Sequence, residues 1–148
     1  MAGILAGASV SGCAQEGKNA PANGSQHPVF SESDAARVTE NLRQALESEN
    51  PRRFLKLFDA KKMPGFATFR DQVSEFFETY GPIRVTYHLT QVTTEAEFGA
   101  AMAEIRIDAT PRRGRIANMR KTVPVRLVLG WDDKTWKIVD WSPREFFQ

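Results

Sequence analysis

The chain has 148 residues, 41% of them apolar and 26% charged, with a formal net charge of +2. That mixture suits a single water-soluble domain of 31–148, and ten Phe, three Trp and two Tyr supply a substantial core. A lone Cys excludes an internal disulfide, one Cys with two distant His excludes a Cys/His zinc cluster, the charge excludes a strongly basic nucleic-acid binder, and no run reaches the roughly 18 uninterrupted apolar residues of a bilayer-spanning helix.

Residues 1–12 carry no charged side chain and end Val10-Ser11-Gly12 directly before Cys13. An aliphatic residue and two small ones ahead of a cysteine resemble the bacterial lipobox. Small side chains beside the scissile bond are what a signal peptidase requires. The resemblance implies a signal peptide over 1–12, cleavage between Gly12 and Cys13, and acylation of the Cys13 thiol. Two or three acyl chains, at about 0.8 kcal/mol per buried methylene, would hold the product on a membrane. The positive n-region of a secretory signal is missing, since no Lys or Arg precedes Cys13. Ala14, in place of the Asp that marks inner-membrane retention in enterobacteria, points to the periplasmic face of the outer membrane. Residues 13–30 are polar and rich in turn formers, so they read as a flexible tether with a reach of roughly 20–25 Å. The plainer alternative is an Ala/Gly-rich stretch with an incidental thiol.

Ser31 and Asp34 stand at capping-box spacing and open a helix whose apolar face is Ala35, Val38, Leu42, Ala45 and Leu46. Asn50-Pro51 restarts the chain as cap and first helical residue of a shorter helix carrying Phe54, Leu55, Leu57 and Phe58. After the break at Met63-Pro-Gly65, Phe66, Phe69, Val73, Phe76 and Phe77 repeat at helical spacing until Gly81-Pro82 ends the run. This aromatic stripe reads as core packing.

From Ile83 the period becomes two. Ile83, Val85, Tyr87 and Leu89 alternate with Arg84, Thr86, His88 and Thr90. A second strand sets Ala101, Ala103, Ile105 and Ile107 against Glu104, Arg106 and Asp108, and a third carries Val123, Val125, Leu127, Leu129 and Trp131. Trp136 to Trp141 forms a fourth, joined to the third by the short turn at 132–134. Pro124 lacks a ladder N–H, so the third strand must begin, bulge or face an edge there. In the fourth strand Trp136 and Ile138 fall on one side, Val139 and Trp141 on the other. Apolar residues in both phases suggest a closing segment folded back over the strand or a homodimer through the outer sheet face.

Helices followed by antiparallel strands make an α+β chain with one curved sheet wrapped over the helices. The capped first helix, the short Asn50–Asp59 element, the third helix, the long strands and the final Trp136-Lys-Ile-Val-Asp-Trp141 resemble the nuclear-transport-factor-2-like superfamily. SnoaL-like cyclases and ketosteroid isomerase belong to it. The resemblance implies a cone-shaped, cystatin-like roll over 31–148. It also implies that an enzyme of this type would place an Asp, His or Tyr inside the cone.

Tyr87 is the polar member of the inward phase; Asp108 and Asp140 are candidate pocket carboxylates, and Trp136 is a candidate ligand wall. His88 falls in the outward phase, as a solvated strand residue does. No second polar partner lies in phase with the carboxylates, so general acid–base chemistry lacks its orienting group. Arg112, Arg113, Arg115, Arg120 and Lys121 crowd the hairpin between the second and third strands, where they read as a solvated loop. Trp131, Trp136, Trp141, Phe146 and Phe147 could form an exposed aromatic patch. The residues thus favour a membrane-tethered, non-enzymatic binding domain for a small apolar ligand or a protein partner, without cofactor or nucleic acid. The competing reading is an isomerase or dehydratase using Tyr87, Asp108 or Asp140.

Overall fold

A computed structural model describes residues 27–95 and 97–148. The signal peptide, Gly12, Cys13 and most of the tether therefore lie outside the described residues. Phe30, at the end of the expected tether, is 2% exposed and belongs to the core. Its ring meets Trp136 at 5.0 Å, and its carbonyl accepts a 2.8 Å hydrogen bond from the Thr94 hydroxyl. The folded part accordingly includes Phe30, because a large apolar side chain held by two elements cannot act as linker.

Helix α1 spans Glu32–Glu47. The Ser31 hydroxyl accepts the Asp34 N–H at 3.1 Å, and the Asp34 carboxylate accepts the Ser31 N–H at 3.0 Å, forming the expected capping box. Helix α2, Pro51–Leu55, begins where the Asn50 side-chain oxygen accepts the N–H groups of Arg52 and Arg53. Helix α3, Phe66–Thr79, buries Phe69, Val73, Phe76 and Phe77. The apolar face read from the sequence of α1 is buried as a unit, together with Thr39, whose hydroxyl donates to the Ala35 carbonyl at 2.7 Å.

Four strands follow: β1 Tyr80–Thr94, β2 Phe98–Pro111, β3 Met119–Trp131 and β4 Trp136–Ser142. They form an antiparallel sheet in the order β1-β2-β3-β4. Strands β1 to β3 extend beyond the stretches of clear alternation, since a ladder continues as long as a neighbour supplies hydrogen bonds. β4 pairs with β3 only over Arg126–Trp131, so Pro124 sits where β3 has an open side, one of the expected solutions for a strand proline. A 3₁₀ turn, Arg144–Phe147, closes the described chain.

The two-phase reading of β4 is corrected by a register shift between the Val128 and Leu129 positions of the β3–β4 ladder. The extra residue is Val139. By adding one position, the bulge returns Trp141 to the side already occupied by Trp136 and Ile138, so all three enter one core. Val139 instead covers Gly130: a Cβ on that glycine would lie 3.0 Å from the Val139 Cγ1.

Candidate functional site

The concave face of the sheet and the three helices enclose a cone lined by Ile83, Val85, Ile105, Ile107, Val125, Leu127 and Leu129, each at most 4% exposed. Among the described residues Thr39 is the one polar side chain that is fully buried, and it lies on α1. Aromatic rings fill the part of the cone nearest the 3₁₀ turn. Phe54, Phe58, Phe69, Phe146 and Phe147 surround Trp141, and Phe147 stacks on it at 5.7 Å with planes 27° apart. The indole N–H of Trp141 is buried with no hydrogen-bond acceptor among the described residues, as is that of Trp136. Such a donor forfeits its hydration without compensation, at a cost of about 1–3 kcal/mol.

The 3₁₀ turn places Phe146 and Phe147 in this cluster. Lys121 reaches over it: its Nζ donates to the Phe146 carbonyl and lies 4.7 Å from the centre of the Phe146 ring. Burial pushes the Lys121 ammonium below its ordinary pKa. Arg144 pairs with Asp140 at 2.7 Å and sits over Phe69 at 6.0 Å. Two surface clefts flank the turn, each of about 360 Å³. One is bordered by Gly65, Phe69 and Arg144, the other by Phe76, Met119 and Phe147, and Gln72 borders both.

The residues named from sequence do not converge. Tyr87 is half-buried at the seam between β1 and α1, where its hydroxyl donates to Glu40 Oε2 at 3.2 Å. Arg43 binds the same carboxylate through Nη2 at 2.6 Å and Glu47 through Nη1 at 2.6 Å; Glu47 in turn accepts the Val85 N–H at 3.0 Å. The hydrogen bond from Arg43, then that from Gln44, holds the Glu40 carboxyl down at about 2, whereas burial, then the bond to Glu40, raises the Tyr87 phenol. A phenol donating to a fixed carboxylate ties helix to strand; it is not presented to a reactant in the cone.

Asp108 is corrected from pocket carboxylate to outer-face residue. It stands in the cross-strand row Arg84–Asp108–Arg120, pairs with Arg120 at 2.5 Å and with Arg106 at 3.5 Å, and is held below its ordinary pKa chiefly by the Arg120 hydrogen bond. Strand parity requires this, since Ile105 and Ile107 take the inward positions. Asp108 instead borders an outer cleft of about 470 Å³ with Arg84, Asn118 and Arg120. Asp140 also lies outside the cone, tied to Arg144. Trp136 is 5% exposed and packs on Phe30, Trp131 and His27, so it is an internal wall at the opposite end of β4 from the Trp141 cluster. His88 is exposed, as its phase predicts.

Two further expectations change. Trp136, Trp141, Phe146 and Phe147 are buried and make no exposed patch. The basic run is divided: Arg113 and Arg115 are solvent-exposed, Arg112 binds Glu49 and the Phe77 carbonyl, Arg120 binds Asp108, and Lys121 turns inward to Phe146. Lys121 is the residue that sequence reasoning missed. It shares parity with Val123, Val125 and Leu127, so extending that phase by one step would have placed it on the concave side.

No protein-family model matches the chain, and neither does any curated protein sequence. Solved structures do. A conserved protein from Planctomyces limnophilus superposes with a TM-score of 0.63 at 12% identity, over 74% of this chain and 91% of that one. A nuclear transport factor 2 (NTF2-like) superfamily protein from Salmonella enterica serovar Typhimurium gives 0.62 at 12% identity, over 74% and 86%. A type 2 hexachlorocyclohexane dehydrochlorinase gives 0.58 at 8% identity, over 74% and 80%. The fold is therefore that of the nuclear-transport-factor-2-like superfamily, the cone-shaped α+β roll. At these identities the likeness establishes fold alone.

Proposed function

We propose that this chain is a membrane-tethered, non-enzymatic binding domain of the bacterial envelope, held by an acylated Cys13 and accepting a small apolar ligand or a protein partner. The observation that carries the binding half is the content of the cone. Its described walls are aliphatic and aromatic, and the three polar residues that an isomerase or dehydratase would use are engaged elsewhere: Tyr87 with Glu40, Asp108 with Arg120, Asp140 with Arg144. General acid–base catalysis needs a proton-transferring group within hydrogen-bond reach of the reactant, and these side chains do not face a common space. A dehydrochlorinase shares the fold, so the architecture is compatible with chemistry; the occupants of this cone are what favour binding.

The tether half rests on Val10-Ser11-Gly12-Cys13 and the polar stretch behind it. With Ala14 after the cysteine, the outer membrane is the expected destination. Fractionation of the native host tests it. The wild-type protein is expected in the membrane fraction and Cys13→Ser in the soluble fraction. A wild-type protein found soluble with residues 1–12 intact would overturn the tether.

A further inference from the structure

We propose that Phe146 and Phe147 occupy, as an intramolecular stand-in, a site for an apolar carboxylic acid, and that the Arg144–Phe147 turn is the gate such a ligand displaces. This rests on the binding-domain reading and specifies its ligand and its control.

Three observations converge on the site. First, four aromatic rings wall it: Phe147 meets Phe54 at 5.4 Å, Phe69 at 5.7 Å, Phe76 at 5.2 Å and Trp141 at 5.7 Å. Second, besides Gln72, Glu75, Thr79 and Arg144 on the flanking clefts, it has two donors. One is the Lys121 ammonium, which is satisfied by a backbone carbonyl of the turn; the other is the Trp141 indole N–H, which is buried and unpaired among the described residues. An ammonium held against a neutral carbonyl gains more from a carboxylate, because charge-assisted hydrogen bonds are roughly twice as strong as neutral ones. An apolar body with one anionic head thus supplies what the two phenyl rings and one carbonyl supply now. Third, the turn is no part of the sheet. Its attachments are side-chain packing, the Lys121 contact and the Arg144–Asp140 pair, with clefts of about 360 Å³ along both flanks. Moving the two rings aside would join these clefts beneath it.

The test uses the aromatic anion 1-anilinonaphthalene-8-sulfonate as probe and dodecanoate as competitor. Phe147→Ala is expected to bind the probe at one saturable site at least about tenfold more tightly than wild type, with dodecanoate displacing it. Adding Lys121→Gln to Phe147→Ala is expected to weaken binding roughly tenfold, as loss of a charged hydrogen-bond partner does. In the wild-type protein, saturating dodecanoate is expected to accelerate amide hydrogen exchange at Phe146–Gln148. Cooperative thermal unfolding identifies a properly folded variant; Phe147→Leu, which keeps an apolar side chain, replaces Phe147→Ala if that variant fails this criterion. A folded variant that binds no tighter than wild type overturns the proposal. So does dodecanoate binding to wild type without faster exchange in the turn; that result removes the gate while leaving a binding domain. Membrane attachment is read separately by fractionation, so failure of the tether and failure of this site are distinguishable.

Discussion

The Glu40 carboxylate organises the junction of α1 and β1, receiving Arg43, Gln44 and Tyr87. Its folded-state pKa is lowered from the usual 4.5 to about 2, with the Arg43 hydrogen bond as the largest cause and the Tyr87 bond the smallest. A depressed acid stabilises the fold above its unfolded pKa and loses that contribution as pH falls through the folded one. The stability advantage of wild type over Glu40→Gln should therefore be constant above about pH 5, shrink as pH falls from 4.5, and vanish near 2. Urea unfolding across this range measures it. Arg43→Met, which keeps an unbranched apolar stem but supplies no donor, should remove most of the pH dependence, and Tyr87→Phe little of it, because the Arg43 bond is the largest cause and the Tyr87 bond the smallest.

At the scale of elements, the segment entering α1 packs its first large residue onto β2. The Phe30 ring lies 2.2 Å from where a Cβ on Gly99 would stand, so only glycine admits that approach. Gly99→Ala should cost about 1–3 kcal/mol by displacing the ring. In a Phe30→Ala background, already destabilised by the lost ring, the same substitution should cost much less; a double-mutant cycle by thermal unfolding measures the coupling. The contact was illegible in the sequence, where Phe30 read as the end of a polar stretch, because nothing local records that strand β2 passes beneath it. Local signals were sufficient for the Ser31–Asp34 box, the Asn50-Pro51 start and the Phe69–Val73–Phe76 face. Alternation likewise assigned Ile105 and Ile107 inward; the same parity puts Asp108 on the outer face, yet the search for a pocket carboxylate placed it in the cone. The bulge at Val139 left no local trace: one inserted residue reverses every later phase, which is why Trp141 read as lying on the side opposite Trp136 and Ile138.

For the whole molecule, the sequence recorded the architecture better than the site. A cone of this kind is specified by periodicity, which a single chain displays; whether the cone is empty depends on what folds back into it. Here Phe146 and Phe147 do so, and they lie beyond the last strand, where no periodicity assigns a face. Lys121 was missed for a different reason: it was read as one charge of a basic loop, although it lies in β3 and shares the inward phase of Val123 and Val125. The proposed function has two parts: an apolar cone that binds a ligand or partner, and Cys13 as the membrane attachment. The intact mass of the mature protein purified from its native host tests that attachment most directly. Loss of residues 1–12 and a diacylglyceryl adduct on Cys13 are expected; an unmodified Cys13 behind intact residues 1–12 would overturn the tether.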